Sequence, residues 1–222
     1  MRRCAVTSCN KVEKPSMPKV GMEPIRQRQL IEATIATIHE VGFPKTTLGR
    51  VARRAGISPG LVAHYFRDKA GLLEATMRFI AEELRLELAG RLEGVSTPEE
   101  RLRAILAANF SERCFSPAKV SAWVAFWGQA HGEPQLDRMQ TVLRTRLKSN
   151  LMYALRDIVP AGEAERIATG LSIFVDGLSL RHALGESQLD RHRAHDFARD
   201  FLETQLAKCA RTKRDMKHAE LA

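Results

Sequence analysis

Apolar residues recur at helical spacing along almost the whole chain, and no run shows the alternation of a half-buried strand. Ile25, Leu30, Ile31, Thr34, Ile35 and Ile38 mark a first stripe, opening at Pro24 and closed by Gly42 and Pro44. Leu48, Val51, Ala52 and Ala55 mark a second, short one, with Arg50, Arg53 and Arg54 left outside it. Thr47 is placed to cap that helix, and Gly56 to end it in the left-handed conformation. Ser58 and Pro59 start another short helix, Ser58 as N-cap and Pro59 at the first position. Lys69 opens a long helix through about Leu92. Thr97-Pro98-Glu99-Glu100 is a capping-box start. Ser116-Pro117 starts another helix, and Glu133-Pro134 one that reaches Ile158. Gly162 precedes a helix carrying Ile167, Leu171, Phe174, Val175 and Leu178, and the last helix runs from about Leu189 to Leu206. The pattern predicts an all-α fold.

Two short helices joined by a glycine turn, in basic surroundings, form a helix-turn-helix whose second helix has a face free for a major groove about 12 Å wide. Charge agrees. The 222 residues carry a net +9, of which residues 1–70 hold +8, residues 71–205 −2 and the last 17 residues +3. The basic excess lies with the helix-turn-helix, as a phosphate-binding footprint requires. A basic membrane-binding surface is disfavoured, because no segment joins a strong apolar face to a basic one. No stretch approaches the roughly 18 consecutive apolar residues of a membrane span, and the N-terminus lacks the apolar core of a secretory signal. Cys4, Cys9, Cys114 and Cys209 match neither a metal site nor a disulfide framework, which suggests free thiols in a reducing cytoplasm. His182, His192 and His195 cluster loosely without an acid or thiol to complete a metal or nucleophile pattern. With no phosphate loop or nucleophile elbow, an enzyme is not expected, and neither catalytic residues, a metal nor a cofactor. An adaptor that binds only protein would not need the basic N-terminal region.

The ordered run TTLGRVARRAGISPGLVAHYFRDKAGLLEATM, with Tyr65-Phe66 followed by Lys69 and Leu72-Leu73, resembles the DNA-binding domain of the TetR family of bacterial repressors. The resemblance implies a homodimer on palindromic double-stranded operator DNA, with recognition helices about 34 Å apart. It gives a DNA-binding domain over 22–68 and a ligand-binding and dimerisation domain over 69–208. The last two long helices would pair with their mates through Leu171, Phe174 or Val175, and Leu178. Phosphate contacts are expected from Thr46, Thr47, Arg50, Tyr65 and Lys69. The base-facing surface is expected to be Ser58, Pro59, Gly60, Leu61, Ala63 and His64, unless Leu61 anchors the helix to the core. Residues 1–21 are expected to be a disordered arm, either a start-site extension before Met17 or a minor-groove arm. Residues 209–222 are expected to be a disordered basic tail.

Both tryptophans, Trp123 and Trp127, stand at i and i+4 on one helix face, with Phe126 beside them. Such a cluster serves as core or dimer contact, or as a cage for a quaternary ammonium, which has no N–H donors and is selected by aromatic faces. Phe110, Phe115, Tyr153 and Phe174 lie on neighbouring helices and are candidates to close the cage; the expected ligand residues are Trp123, Phe126, Trp127, Phe110, Tyr153 and Asp176. Asp176 supplies a counter-charge, or else pairs with Arg181 or Arg156. Within the family, MPKVGMEPIRQRQLIEAT, SPGLVAHYFRDKAGLLEATM, SAWVAFW and DGLSLRHAL resemble choline-sensing repressors of glycine betaine synthesis. That implies choline as inducer; the alternative is a different cationic or apolar small molecule.

Overall fold

Helix starts coincide with residues that satisfy the orphan amides of a first turn. Thr47 Oγ1 accepts from Arg50 N at 3.2 Å, Asp68 Oδ1 from Gly71 N at 2.8 Å, and Thr97 with Glu100 forms a full capping box. Ser58 and Ser116 precede prolines at the first helical position, but their hydroxyls make no capping bond. The computed structural model describes residues 22–186 and 188–220, with the backbone alone at 22 and 213–220. Among the described residues the chain forms α1 (Met22–Lys45), α2 (Leu48–Ala55), α3 (Pro59–Phe66), α4 (Lys69–Leu92), α5 (Pro98–Asn109), α6 (Pro117–Ala130), α7 (Pro134–Leu155), α8 (Ala161–Ala183) and α9 (Arg191–Glu220), with no strand.

The predicted elements are present, with differences at their ends. α1 is broken at Gly42 (φ 76°, ψ 158°), where the apolar stripe stops, and resumes for one turn to Lys45. α7 stops at Leu155 rather than Ile158. The tail from 209 is not the expected disordered segment: α9 continues to Glu220. Cys209 still packs against the core and meets Glu163 Oε2 at 3.5 Å, and no proline or glycine follows to break the helix. The expected N-terminal arm, 1–21, lies outside the described residues.

Two buried clusters divide the molecule, and the first runs across residue 68. The first joins Leu30, Ile31, Ile35 and Ile38 of α1 to Val51, Val62 and Phe66, then to Leu72, Leu73, Met77 and Ile80 of α4. It is completed by Ala122, Phe126 and Ala130 of α6 and Leu136 of α7. The second gathers α5, the start of α6, the end of α7, α8 and α9. The expected dimer residues Leu171, Val175 and Leu178 belong to this second core, and Phe174 stacks on Phe201 at 5.2 Å, so their packing partners are within the chain. The apolar side chains that α8 and α9 leave exposed are different: Ile173 (67 %), Leu180, Leu184 (75 %) and Phe197. Ile173, Leu180 and Leu184 share one stripe of α8 with Gly177.

Phe126 is fully buried where the first cluster crosses from α1 to α6. Phe126→Ala should cost about 3–5 kcal/mol of stability by the cavity it leaves, measured by equilibrium urea unfolding. Phe126→Leu should retain most of it.

Candidate nucleic-acid interface and ligand cavity

α2 and α3 are joined at Gly56, which takes the left-handed conformation (φ 66°, ψ 28°) and donates back to the end of α2. Val51, Ala52, Val62 and Phe66 turn inward. What remains outside is a polar and small-residue face: Thr47 and Arg50 on α2, then Ser58, Pro59, Gly60, Ala63 and His64 along α3, all exposed. A Cβ on Gly60 would meet nothing within 4 Å, so the backbone there is open to close approach by a ligand. Leu61 is half-buried, between its two expected roles. Tyr65 is half-buried against the first core, its ring 6.1 Å from Phe66, with one edge outward.

Two residues expected on phosphate point elsewhere. Thr46 is buried and its hydroxyl donates to Gly42 O at 2.9 Å. Lys69 reaches back 26 residues: Nζ donates to Phe43 O at 2.5 Å and to Pro44 O at 3.3 Å, and sits 4.0 Å from the Phe43 ring centroid. The ammonium caps the broken end of α1, where carbonyls lack helical partners, and burial lowers its pKa. Between α3 and α4 the chain reverses through Phe66-Arg67-Asp68. Arg67 has φ 56° and ψ −59°, and Asp68 N donates to Phe66 O at 2.5 Å, the geometry of a strained γ-turn. Gly71 is required by that turn, since a Cβ would lie 2.5 Å from Phe66 O.

The second candidate site is a cavity of about 200 Å³ between α4, α5, α6, α7 and α8. Trp123 and Trp127 line it, their ring centroids 6.1 Å apart and their planes at 37°. At that spacing the rings form one continuous wall rather than two jaws. Asp176 of α8 also lines it, and Phe115 contributes the third aromatic ring. Asp176 pairs with neither expected partner: Arg181 is bound to Glu186, and Arg156 lies over the Tyr153 ring. Partial burial at the cavity raises the Asp176 pKa to about 6, against an opposing pull from Arg144, although the side chain is open to solvent on its other side. Three aromatics expected in the cage are absent from the lining. Phe110 is buried in the second core against Phe115 and His195. Phe126 faces the first core and braces Trp123 edge-on, with centroids 6.0 Å apart. Tyr153 is half exposed, held between Arg101 and Arg156. Residues the sequence reading did not place here are Arg85, Arg144, Arg146 and Asn150.

A family model described as "BetI-type transcriptional repressor, C-terminal" matches residues 98–207, and one described as "Bacterial regulatory proteins, tetR family" matches residues 30–76. The HTH-type transcriptional regulator BetI of Escherichia coli O139:H28 is 46% identical over 188 residues, covering 84% of this chain and 96% of the relative. The chain belongs to the TetR family. Its BetI counterpart from Shigella flexneri serotype 5b shows the same identity and coverage. Among solved structures, a transcriptional regulator from Pseudomonas aeruginosa PAO1 superposes with a TM-score of 0.72 at 25% identity, covering 87% of this chain and 96% of that one. A regulator from Saccharomonospora viridis, crystallised in complex with choline, gives 0.72 at 18% identity, covering 81% and 96%; this second likeness speaks for the fold alone. This TetR-family chain is thus a DNA-binding transcriptional repressor of the BetI type, and its homologues are regulators. TetR-family regulators bind operator DNA, usually as dimers, and small-molecule ligands. No described helix is long and apolar enough to cross a membrane.

The two lysine and arginine environments give opposite outcomes. Lys69→Ala should lower stability by about 1–3 kcal/mol through the loss of its charge-assisted hydrogen bonds to Phe43 O and Pro44 O, read as a lower melting temperature. Arg50→Ala should leave melting unchanged and reduce the salt slope of operator binding by about one unit, read by gel retardation across a salt series.

Proposed function

We propose that this regulator binds its operator as a homodimer, represses the genes that convert choline to glycine betaine, and leaves the DNA when choline enters the cavity. The observation that carries this reading is the position of α6. Its Trp123 and Trp127 line the cavity, while Ala122, Phe126 and Ala130, on an adjacent face, are built into the helix-turn-helix core. A ligand seated on the tryptophan wall therefore presses on a helix that DNA-binding residues pack against. The proposed lever is α6 acting on α1, reinforced by His39, whose Nδ1 lies 3.0 Å from Ser121 Oγ while that hydroxyl donates to Pro117 O. α4 takes part as well, since Ile80 and Leu84 line the same cavity. Choline acts as inducer only if it binds the arrangement released from DNA more tightly than the bound one.

On operator, Thr47 and Arg50 hold phosphates, with Tyr65 at the margin. Ser58, Gly60, Ala63 and His64 face the bases, Ala63 suited to a thymine methyl. The exposed stripe of Ile173, Leu180 and Leu184, with Phe197, forms the dimer contact. A repressor acting on chromosomal operators would do so in the cytoplasm.

The trimethylammonium sits over both indole faces, and Asp176 balances its charge. A desolvated cation–π contact is worth about 2 kcal/mol, so Trp127→Ala should raise the choline needed for operator release about 30-fold while leaving DNA affinity without choline unchanged. Choline titrated onto operator-bound protein tests this, and release at wild-type concentrations would place the ligand elsewhere.

Choline should also bind in a pH-dependent way. Asp176 has a raised pKa of about 6, and a bound cation favours its ionised form. Affinity is then full above about pH 7 and falls by up to about tenfold per unit as pH drops through 6. Calorimetry between pH 5 and 8 should show this slope, and Asp176→Asn should flatten it.

A further inference from the structure

The charges around the cavity do not balance for a bare cation. Arg85, Arg144 and Arg146 line it against a single lining carboxylate, Asp176. Arg85 is neutralised by Glu82, Nη2 to Oε1 at 2.7 Å. Among the described residues Arg144 and Arg146 make no ion pair with a carboxylate, and neither does Asp176. Arg144 is exposed and lines the cavity from α7, with Gln140, Leu143 and Leu147 at helical spacing. It is near enough to Asp176 to act on its titration without forming a contact pair. The cavity thus has an aromatic wall and an acid suited to a quaternary ammonium, and also a guanidinium with unused donors. A guanidinium is always charged and presents a planar fork that matches a carboxylate in two hydrogen bonds.

We propose that the cavity also takes a zwitterion, a quaternary ammonium joined by a short link to a carboxylate, with the ammonium on Trp123 and Trp127 and the carboxylate on Arg144, Arg146 standing behind it at the mouth. This rests on the tryptophan wall being the cationic subsite. Choline fills only the first half and leaves Arg144 without a partner. The carboxylate-bearing ligand fills both halves, competes with choline and binds more tightly. A regulator built this way reads the oxidised form of its ligand as well as the alcohol.

The test uses the full chain with glycine betaine and choline as probes, followed by tryptophan fluorescence and calorimetry. Glycine betaine should displace choline from the wild type. Arg144→Gln should weaken glycine betaine about tenfold or more, the loss of a charged hydrogen bond, while choline binding holds or tightens. Arg144→Lys should retain part of the glycine betaine affinity. Equal melting temperatures would establish that the variants are folded. Failure of glycine betaine to displace choline, or an equal loss of both ligands in Arg144→Gln, overturns the proposal while the tryptophan wall stands. If Trp127→Ala binds both probes as the wild type does, the wall itself is not the site and the proposal falls with it.

Discussion

The packing of α6 on α1 is the contact from which the other features follow. Ala118, Ala122 and Ala130 recur every fourth residue or at a multiple of it, and such small side chains let two helices approach closely. Phe126 fills the one deep position between them. Once that stripe is committed to α1, helical geometry turns Trp123 and Trp127 toward the neighbouring direction, where α4, α7 and α8 leave a gap. The cavity wall and the floor of the DNA-binding region are therefore two faces of the same fourteen-residue helix. Differential binding energy at one face has no slack loop through which to dissipate before it reaches the other.

Helix boundaries were legible in the sequence wherever the stopping signal is local. Thr47, Gly56, Thr97 with Glu100, and the Ser-Pro steps act on amides and carbonyls within a turn of themselves, so the chain alone announces them. The end of α9 was missed because what prolongs it is not a cap. Cys209 has a packing partner contributed by α8, and nothing near it in sequence says so. The same distinction separates the expected site residues that are exposed from those that are captured. Arg50, Ser58, Gly60, Ala63 and His64 are exposed because their own short helices have one apolar side each. Lys69 and Thr46 were misplaced because the carbonyls that capture them are freed by the break at Gly42, which is a tertiary event at the end of another helix. Aromatic identity alone gave no way to tell Trp123 from Phe110 or Tyr153. The difference lies in which direction each helix face points after packing.

Charge is organised differently in the two halves. Along α2 the guanidinium groups of Arg50 and Arg53 project into solvent, where they attract phosphate from a distance. Around the cavity charge is locked into framework. Glu83 of α4, itself buried, is held by Arg113 at 3.1 Å and by Lys119 at 2.6 Å, and Lys119 also reaches Arg113 O. This cluster pins the α5–α6 connection, which carries Cys114 and Phe115 of the cavity wall, to the helix that leads out of the DNA-binding region. The same cluster ties the first turn of the tryptophan helix, through Lys119, to α4.

A shared core also limits modularity. Operator-reading heads are attractive as interchangeable cassettes, to be joined to any sensor at a linker. Here no such linker exists: a cut after Asp68 would strip Leu72, Leu73, Met77 and Ile80 from the head and leave Ala122, Phe126 and Ala130 facing a foreign first helix. A working chimera must carry the α1 surface and the α6 stripe together, so that new operator specificity arrives by regrafting α2 and α3 alone onto a retained scaffold.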